Sequence, residues 1–167
     1  MRKHNPIKPI GRIATLAGVM AILLLLTTAC HRRPAILQYQ SLPLQGWRAS
    51  DTLHFAIDSL SVAARYNLHA AVRTSAARPY AFRQLVLEVR QQWHPDSCTQ
   101  IDTVEVQISA PDGKVEGNGV AMFTYEVPTC TLSHRVGSRA DIQIRHLMRR
   151  SPLQGISDVG IHLKKVD

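Results

Sequence analysis

The sequence predicts an all-β fold, an antiparallel β-sandwich of jelly-roll-like type, preceded by a lipoprotein signal peptide. Apolar and polar residues alternate with period two in seven separate runs, and turn signals rich in Gly, Pro and Asp lie between the runs. No segment shows the 3.6-residue period of a full-length helix. We expect residues 1–29 to be the signal peptide, 30–50 a lipidated arm and 51–167 the sandwich domain.

The first thirty residues have the three parts of a bacterial secretory signal. Four cations and no acid come first, residues 13–26 are uncharged and mostly apolar, and Thr28-Ala29 lead into Cys30. The apolar part is shorter than the roughly 20 residues of a spanning helix. Cysteine after small residues resembles a lipobox, although Thr27 stands where Leu is usual. This predicts cleavage before Cys30 and its acylation, palmitate included. An uncleaved anchor, or cleavage that leaves Cys30 free, is the alternative.

The charge of the chain belongs partly to this signal. Twenty Lys and Arg against 12 Asp and Glu give +8, and four of the cations precede residue 13, which leaves a mature chain of about +4. Such an excess suits a domain near anionic headgroups and does not indicate a nucleic-acid partner. No acid follows Cys30 until Asp51, and His31 is not Asp. By analogy with lipoprotein sorting, we expect an outer-membrane protein that faces the periplasm.

The rest of the chain reads as an arm followed by strands. Residues 34–50 have no sustained period and contain Pro34, Pro43 and Gly46, with Trp47 available to dock on the domain. Half-buried strands are then predicted at residues 53–58, 66–73, 85–90, 104–109, 121–127, 142–145 and 159–164. Turns at Pro111-Asp112-Gly113 and similar sites separate them, which is the pattern of a sandwich.

Several short motifs occur in a characteristic order along the mature chain. They are Leu42-Pro43 with Trp47, Tyr66-Asn67-Leu68 with Pro79-Tyr80, Pro111-Asp112-Gly113-Lys114 with Gly117-Asn118-Gly119, and Gly155-Ile156-Ser157-Asp158-Val159-Gly160. In order and spacing, lipobox included, the set resembles the gliding-motility lipoprotein GldH family. Val115-Glu116 depart from it, because the family often has an aromatic residue there.

The resemblance implies a non-catalytic outer-membrane component or adaptor of the gliding and adhesin-secretion machinery. It implies envelope proteins of that machinery as partners, together with the membrane itself through the lipid anchor. No cofactor, metal ion or catalytic residue is implied. The alternative is an envelope lipoprotein that binds glycan or peptide, which exposed aromatic residues on a concave face would favour.

The residues themselves contain no clear catalytic set. Ser157-Asp158 lie between two glycines without forming a Gly-x-Ser-x-Gly elbow, and they read better as shaping the approach to the last strand. His54, His69 and His162 occupy polar positions of strands and are expected to face solvent. The densest basic group is Arg145, Arg149 and Arg150, suited either to an acidic partner or to a solvated edge.

Two cysteines remain after the lipidated one. In an oxidising compartment we expect a disulfide between Cys98 and Cys130, because in a meander loops two strands apart emerge at the same end of the sandwich. Two free thiols are one alternative. A zinc site that adds His94 and His134 is the other.

Cys30→Ala tests the anchor. We expect the substituted protein to leave the outer-membrane fraction or to remain unprocessed, because two or more acyl chains on one cysteine give stable membrane residence. Fractionation followed by intact-mass measurement records both outcomes. A substituted protein that is cleaved and sorted like the wild type would contradict the lipobox.

Overall fold

The computed structural model describes residues 36–166, which form eight β-strands. The strands are β1 (Ile36–Ser41), β2 (Leu53–Ile57), β3 (Ala64–Ser75), β4 (Gln84–His94), β5 (Cys98–Gln107), β6 (Met122–His134), β7 (Arg139–His146) and β8 (Ile156–Val166). This part of the chain has no helix, and therefore none long and apolar enough to cross a membrane. All seven predicted strands are present, most of them longer than their alternating runs.

The strands build two four-stranded sheets in the order β1-β8-β3-β6 and β2-β7-β4-β5. Every neighbouring pair is antiparallel. Eight strands divided in this order between two packed sheets make a jelly roll. The predicted antiparallel sandwich is confirmed.

The core lies between the sheets and follows the alternation of the sequence. On β4, Leu85, Leu87 and Val89 are fully buried, while the residues between them are not. Facing side chains from both sheets complete this layer: Leu68, Val72, Ile142, Ile144, Ile161 and Leu163. Each such aliphatic side chain contributes roughly 1.5–3 kcal/mol when it is removed from water.

The segment expected to be an arm contributes a strand. The periodicity predicts no strand within residues 34–50, whereas the structure pairs β1 with β8 from Ile36↔Leu163 to Ser41↔Asp158. An edge strand needs only one hydrogen-bonded neighbour. Some side chains of β1 that face the other sheet are glutamine amides rather than apolar groups. The amide of Gln38 donates to the backbone oxygen of Ala56 at 2.9 Å.

Trp47 anchors the loop between β1 and β2, residues 42–52, to the rest of the domain. The Trp47 side chain has no exposed surface. The backbone N–H of Trp47 donates to the backbone oxygen of Leu153 at 2.8 Å, and the backbone N–H of Leu153 donates to the backbone oxygen of Trp47 at 2.7 Å. The indole N–H donates to the Asp51 oxygen, and the ring meets His146 edge-on at 5.1 Å. Gly46, at φ +104°, lets the chain pass Leu153, since a Cβ there would lie 2.6 Å from the Leu153 oxygen.

The two ends of the sandwich differ. At the end where β1 begins, called here the proximal end, the connections are short and span residues 58–63, 95–97 and 135–138. At the opposite, distal end the connections are longer and span residues 42–52, 76–83, 108–121 and 147–155. Binding residues in β-sandwiches usually lie on such loops, held by the rigid sheets.

Trp47→Ala should lower the free energy of unfolding by about 3–5 kcal/mol, the range for removing a fully buried large aromatic side chain. Urea denaturation measures this change. Leu44→Ala, three residues away at a side chain that is 75% exposed, is the matched control and should stay within about 0.5 kcal/mol of wild type. Equal effects of the two changes would contradict the proposed fastening.

Candidate functional site

The distal loops enclose two neighbouring grooves. The first, about 440 Å³ in volume, lies where the end of β1 and the loops after β1 and β3 approach the start of β8. Its polar side chains include Ser41, Arg78 and Asp158, and its apolar wall includes Leu44. Asp158 accepts a hydrogen bond from the Ser41 hydroxyl at 2.7 Å, and Arg78 donates to the Leu44 oxygen at 3.3 Å. The groove is therefore preformed by one contact between strands β1 and β8 and one contact between two loops.

Ser157 lines the first groove but is not placed as a nucleophile. Its hydroxyl donates to the Arg73 backbone oxygen at 3.0 Å and lies 3.3 Å from the Met122 sulfur. Activation would require a base at that hydroxyl, and within residues 36–166 the hydroxyl contacts none. Both Ser157 and Asp158 belong to β8, so the turn before the strand depends instead on Gly155, at φ +91°.

The second groove is about 670 Å³ and carries Arg149 and Arg150, with Phe82 and Pro152 among its walls. No acidic residue lines it. Both arginines are exposed, and neither has an ion pair or a side-chain hydrogen bond within residues 36–166. We call this the arginine groove.

Arg145, which the sequence groups with these two arginines, lies elsewhere. It is on β7, in register with Glu88 of β4, and binds that carboxylate through two hydrogen bonds of 2.7 and 2.8 Å. These hydrogen bonds hold the pKa of Glu88 below its usual value, against a smaller opposing effect of burial. The predicted group of three is thus one ion pair and two unpaired cations.

Most aromatic side chains are unavailable for stacking on a ligand. Trp47, Trp93, Tyr66, Tyr80 and Tyr125 are all buried in the core. Burial raises the pKa of Tyr80 to about 12. The most exposed aromatic residue of the described chain is Phe82, at 37%. This arrangement does not favour the sugar-stacking surface of a glycan-binding module.

The outer face of the β1-β8-β3-β6 sheet carries a second charged group. Glu126 accepts a hydrogen bond from Lys164 Nζ at 2.6 Å, and its other oxygen is 2.9 Å from His162 Nδ1. Burial acts to raise the pKa of Glu126, but these two contacts outweigh it and keep the pKa low. Arg73 stacks over the Tyr39 ring at 3.7 Å. The charged side chains of this outer face contact one another or an aromatic ring, and we interpret them as stabilising the sheet rather than binding a partner.

The histidines were expected to face solvent, and the structure is mixed. His54 is exposed, whereas His69 and His162 are half-buried on the outer face of that sheet, with ring centroids 6.3 Å apart. Burial lowers the pKa of His69, and the nearby Lys164 acts in the same direction.

A buried polar network occupies the proximal part of the core. Gln91, fully buried, donates to Asp102 at 3.1 Å and to the Cys130 sulfur at 3.0 Å, and accepts from the Trp93 indole at 3.1 Å. The ring of His134 stacks on Trp93 at 3.6 Å, and burial lowers the pKa of that histidine. Because these partners satisfy the buried amide of Gln91, strand β4 can continue past Val89 through residues that are polar.

The four potential zinc ligands do not converge. His94 lies 3.5 Å from Asp141, His134 stacks on Trp93, and Cys130 contacts Gln91. Within residues 36–166, no three His, Cys, Asp or Glu side chains are placed to hold a metal ion.

Cys98 and Cys130 both lie toward the proximal end, and their pairing stays a prediction. Cys98 is exposed and sits opposite Trp93 in the β4–β5 register. Cys130 is half-buried and contacts Gln91, two residues earlier on β4. Both thiols are free in this structure. Cys30, the predicted lipidation site, lies outside the described residues.

The strands and their connections define a β-sandwich domain of the jelly-roll type, with grooves between its distal loops. The family described as GldH lipoprotein matches residues 35–163, and the chain belongs to that family.

Two relatives extend the match over most of the chain. The gliding motility lipoprotein GldH of Flavobacterium johnsoniae is 25% identical over 158 residues, covering 90% of this chain and 97% of that protein. A GldH homolog of Christiangramia forsetii is 22% identical over 157 residues, covering 86% and 91%. Among solved structures, Eiger TNF from S. frugiperda aligns over 81% of this chain and 94% of its own, with 8% identity and a TM-score of 0.34.

Alkylation with and without reductant tests the cysteine pair in protein purified from the envelope. We expect Cys98 and Cys130 to react only after reduction, and the bridge to stabilise the fold by roughly 3–4 kcal/mol in the chain-entropy model. Cys98→Ser is the control, since it should leave Cys130 reactive without reductant. Two thiols that react before reduction would exclude the disulfide, and bridging requires their Cα atoms within about 7 Å.

Proposed function

We propose that this protein is a non-catalytic component of gliding or adhesin-secretion machinery. In this proposal it is held in the outer membrane by acylated Cys30, faces the periplasm, and contacts its partners through the distal loops. Its family and the names of its relatives support a role in gliding motility and a lipid-anchored envelope protein. We choose the distal end as the binding surface because its connecting loops are longer than those at the proximal end.

Chain length relates that difference to the membrane. Residues 31–35 separate Cys30 from Ile36, and the chain enters β1 at the proximal end. Extended, six residue steps reach about 20 Å. In this proposal, that maximum reach limits how far the proximal end can lie from the lipid surface. The 13 residues of β6 span about 40 Å, so the distal loops can lie well above the headgroups.

A non-catalytic role agrees with the chemistry of the grooves. The Ser157 hydroxyl is bound to a backbone oxygen, and Asp158 is bound to Ser41 rather than to a histidine. The preformed grooves and rigid loops instead suit recognition of another protein. The alternative of glycan binding loses support from the buried aromatic residues, whereas peptide binding keeps it.

Photo-crosslinking in intact cells tests the choice of surface. The crosslinker p-benzoylphenylalanine replaces Leu44 or Val120 at the distal end, and Val62 or Val136 at the proximal end. All four side chains are exposed, at 75%, 90%, 42% and 64% respectively. We expect adducts with an envelope protein of the gliding or secretion machinery at the distal positions only.

The proximal positions are the matched controls, because they are equally apolar and lie on loops of the same domain. The same adduct at both ends would contradict a distal binding surface. Adducts confined to the proximal end would reverse the proposed orientation. Function is scored in parallel by colony spreading, which the distal substitutions should reduce if they block the partner.

A further inference from the structure

We propose that the arginine groove binds an acidic segment of a partner protein, with Arg149 and Arg150 as the carboxylate-binding residues. The inference rests on the proposed function only in taking the partner to be a protein that meets the distal end. The binding itself depends on the groove and not on the lipid anchor. Its chemical class is a peptide strand or loop rich in Asp and Glu.

The loop that carries the two arginines is held in place from several sides. Before them, the Leu147 N–H donates to the Val86 oxygen at 2.9 Å, and the Met148 sulfur accepts from the Val86 N–H at 3.5 Å. After them, the Ser151 hydroxyl accepts from the Ala49 N–H at 3.0 Å. A loop already fixed in this way loses little conformational freedom when it binds.

Leu153 and Gly155, later in the same loop, also fix its position. Leu153 is 1% exposed and forms the backbone pair with Trp47. Gly155 then passes so close to Tyr80 that a Cβ would lie 2.6 Å from the Tyr80 Cα. The arginines are thus displayed from a rigid frame, although their own side chains remain in solvent.

The charged side chains that line this groove are both cations. Arg145 is neutralised by Glu88, Lys164 by Glu126, and Arg73 is placed over Tyr39. Arg149 and Arg150 have no such partner within residues 36–166, and nothing acidic lines their groove. Two neighbouring guanidinium groups can each bind a carboxylate through two parallel N–H donors.

The groove suits a peptide better than a lipid headgroup. It is at the distal end, about one strand length from the point where the tether enters. Its walls combine the guanidinium groups with apolar surface from Pro79, Phe82 and Pro152, which can cover a peptide backbone between acidic side chains. A volume of about 670 Å³ accommodates several residues of an extended strand.

The test is binding of a fluorescein-labelled peptide of eight glutamates to the full-length lipidated protein in non-ionic detergent, followed by anisotropy. A peptide of eight glutamines is the uncharged comparison. We expect the glutamate peptide to bind in a salt-dependent manner. R149Q/R150Q should weaken binding about tenfold, and R149K/R150K should fall between, because lysine keeps the charge but loses the bidentate geometry.

The control double variant is R135Q/R139Q, which removes the same charge from exposed positions at the proximal end. It should leave the affinity within about twofold of wild type, since salt screens charges a strand length away. Equal weakening by both double variants, or no binding by wild type, would overturn the proposal. Far-UV circular dichroism and the urea midpoint confirm that each variant is folded.

Vesicles separate the lipid alternative. For this comparison the protein lacks residues 1–29 and carries Cys30→Ala, so that no acyl chain holds it on the vesicle. If R149Q/R150Q then reduces retention on phosphatidylglycerol vesicles and leaves glutamate binding unchanged, the groove recognises headgroups and the peptide proposal is wrong. If Cys30 is not acylated, or the distal crosslinks fail, the purified chain still binds the glutamate peptide. Failure of the groove and failure of the proposed function are therefore distinguishable.

Discussion

Trp47 and Leu153 exchange two backbone hydrogen bonds, and this exchange joins the loop before β2 to the loop before β8. Both side chains are buried, so the same contact closes the distal end of the core. It also helps to fix the course of the 147–155 loop, where Gly46 leaves room for the chain to pass Leu153 and Gly155 leaves room for the loop to pass Tyr80. Stability and the shape of the distal grooves therefore depend on one pair of residues that are 106 positions apart in sequence.

The fold was predictable where inward positions are apolar and not where they are polar. Residues 85–90 show clean alternation and mark the first half of β4. The second half places Gln91 in the core, where Asp102, Cys130 and Trp93 satisfy its amide. β1 is hidden for a related reason, because Gln38 and Gln40 reach across to backbone oxygens of β2. Such polar groups are tolerated only because distant partners satisfy them, and periodicity does not record those partners.

The candidate site was predictable only as a set of residue types. Sequence proximity placed Arg145 with Arg149 and Arg150, but the strand ends between them. Arg145 remains in β7, where antiparallel register sets it opposite Glu88, while the other two follow a loop out of the sheet. The grooves themselves join residues from loops that are far apart along the chain. Only the strand order brings those loops to one end.

Net charge is consequently a poor guide to where this domain binds. The mature excess of cations is small, and several of them are already held by carboxylates or by an aromatic ring within the sheets. Paired charges on rigid strands contribute to register and offer little to a partner. Cations on a loop that packing has already fixed remain hydrated and available, and ordering them on binding requires only their side chains. The position of a charge in the jelly roll, rather than the total, separates structural arginines from those suited to recognition.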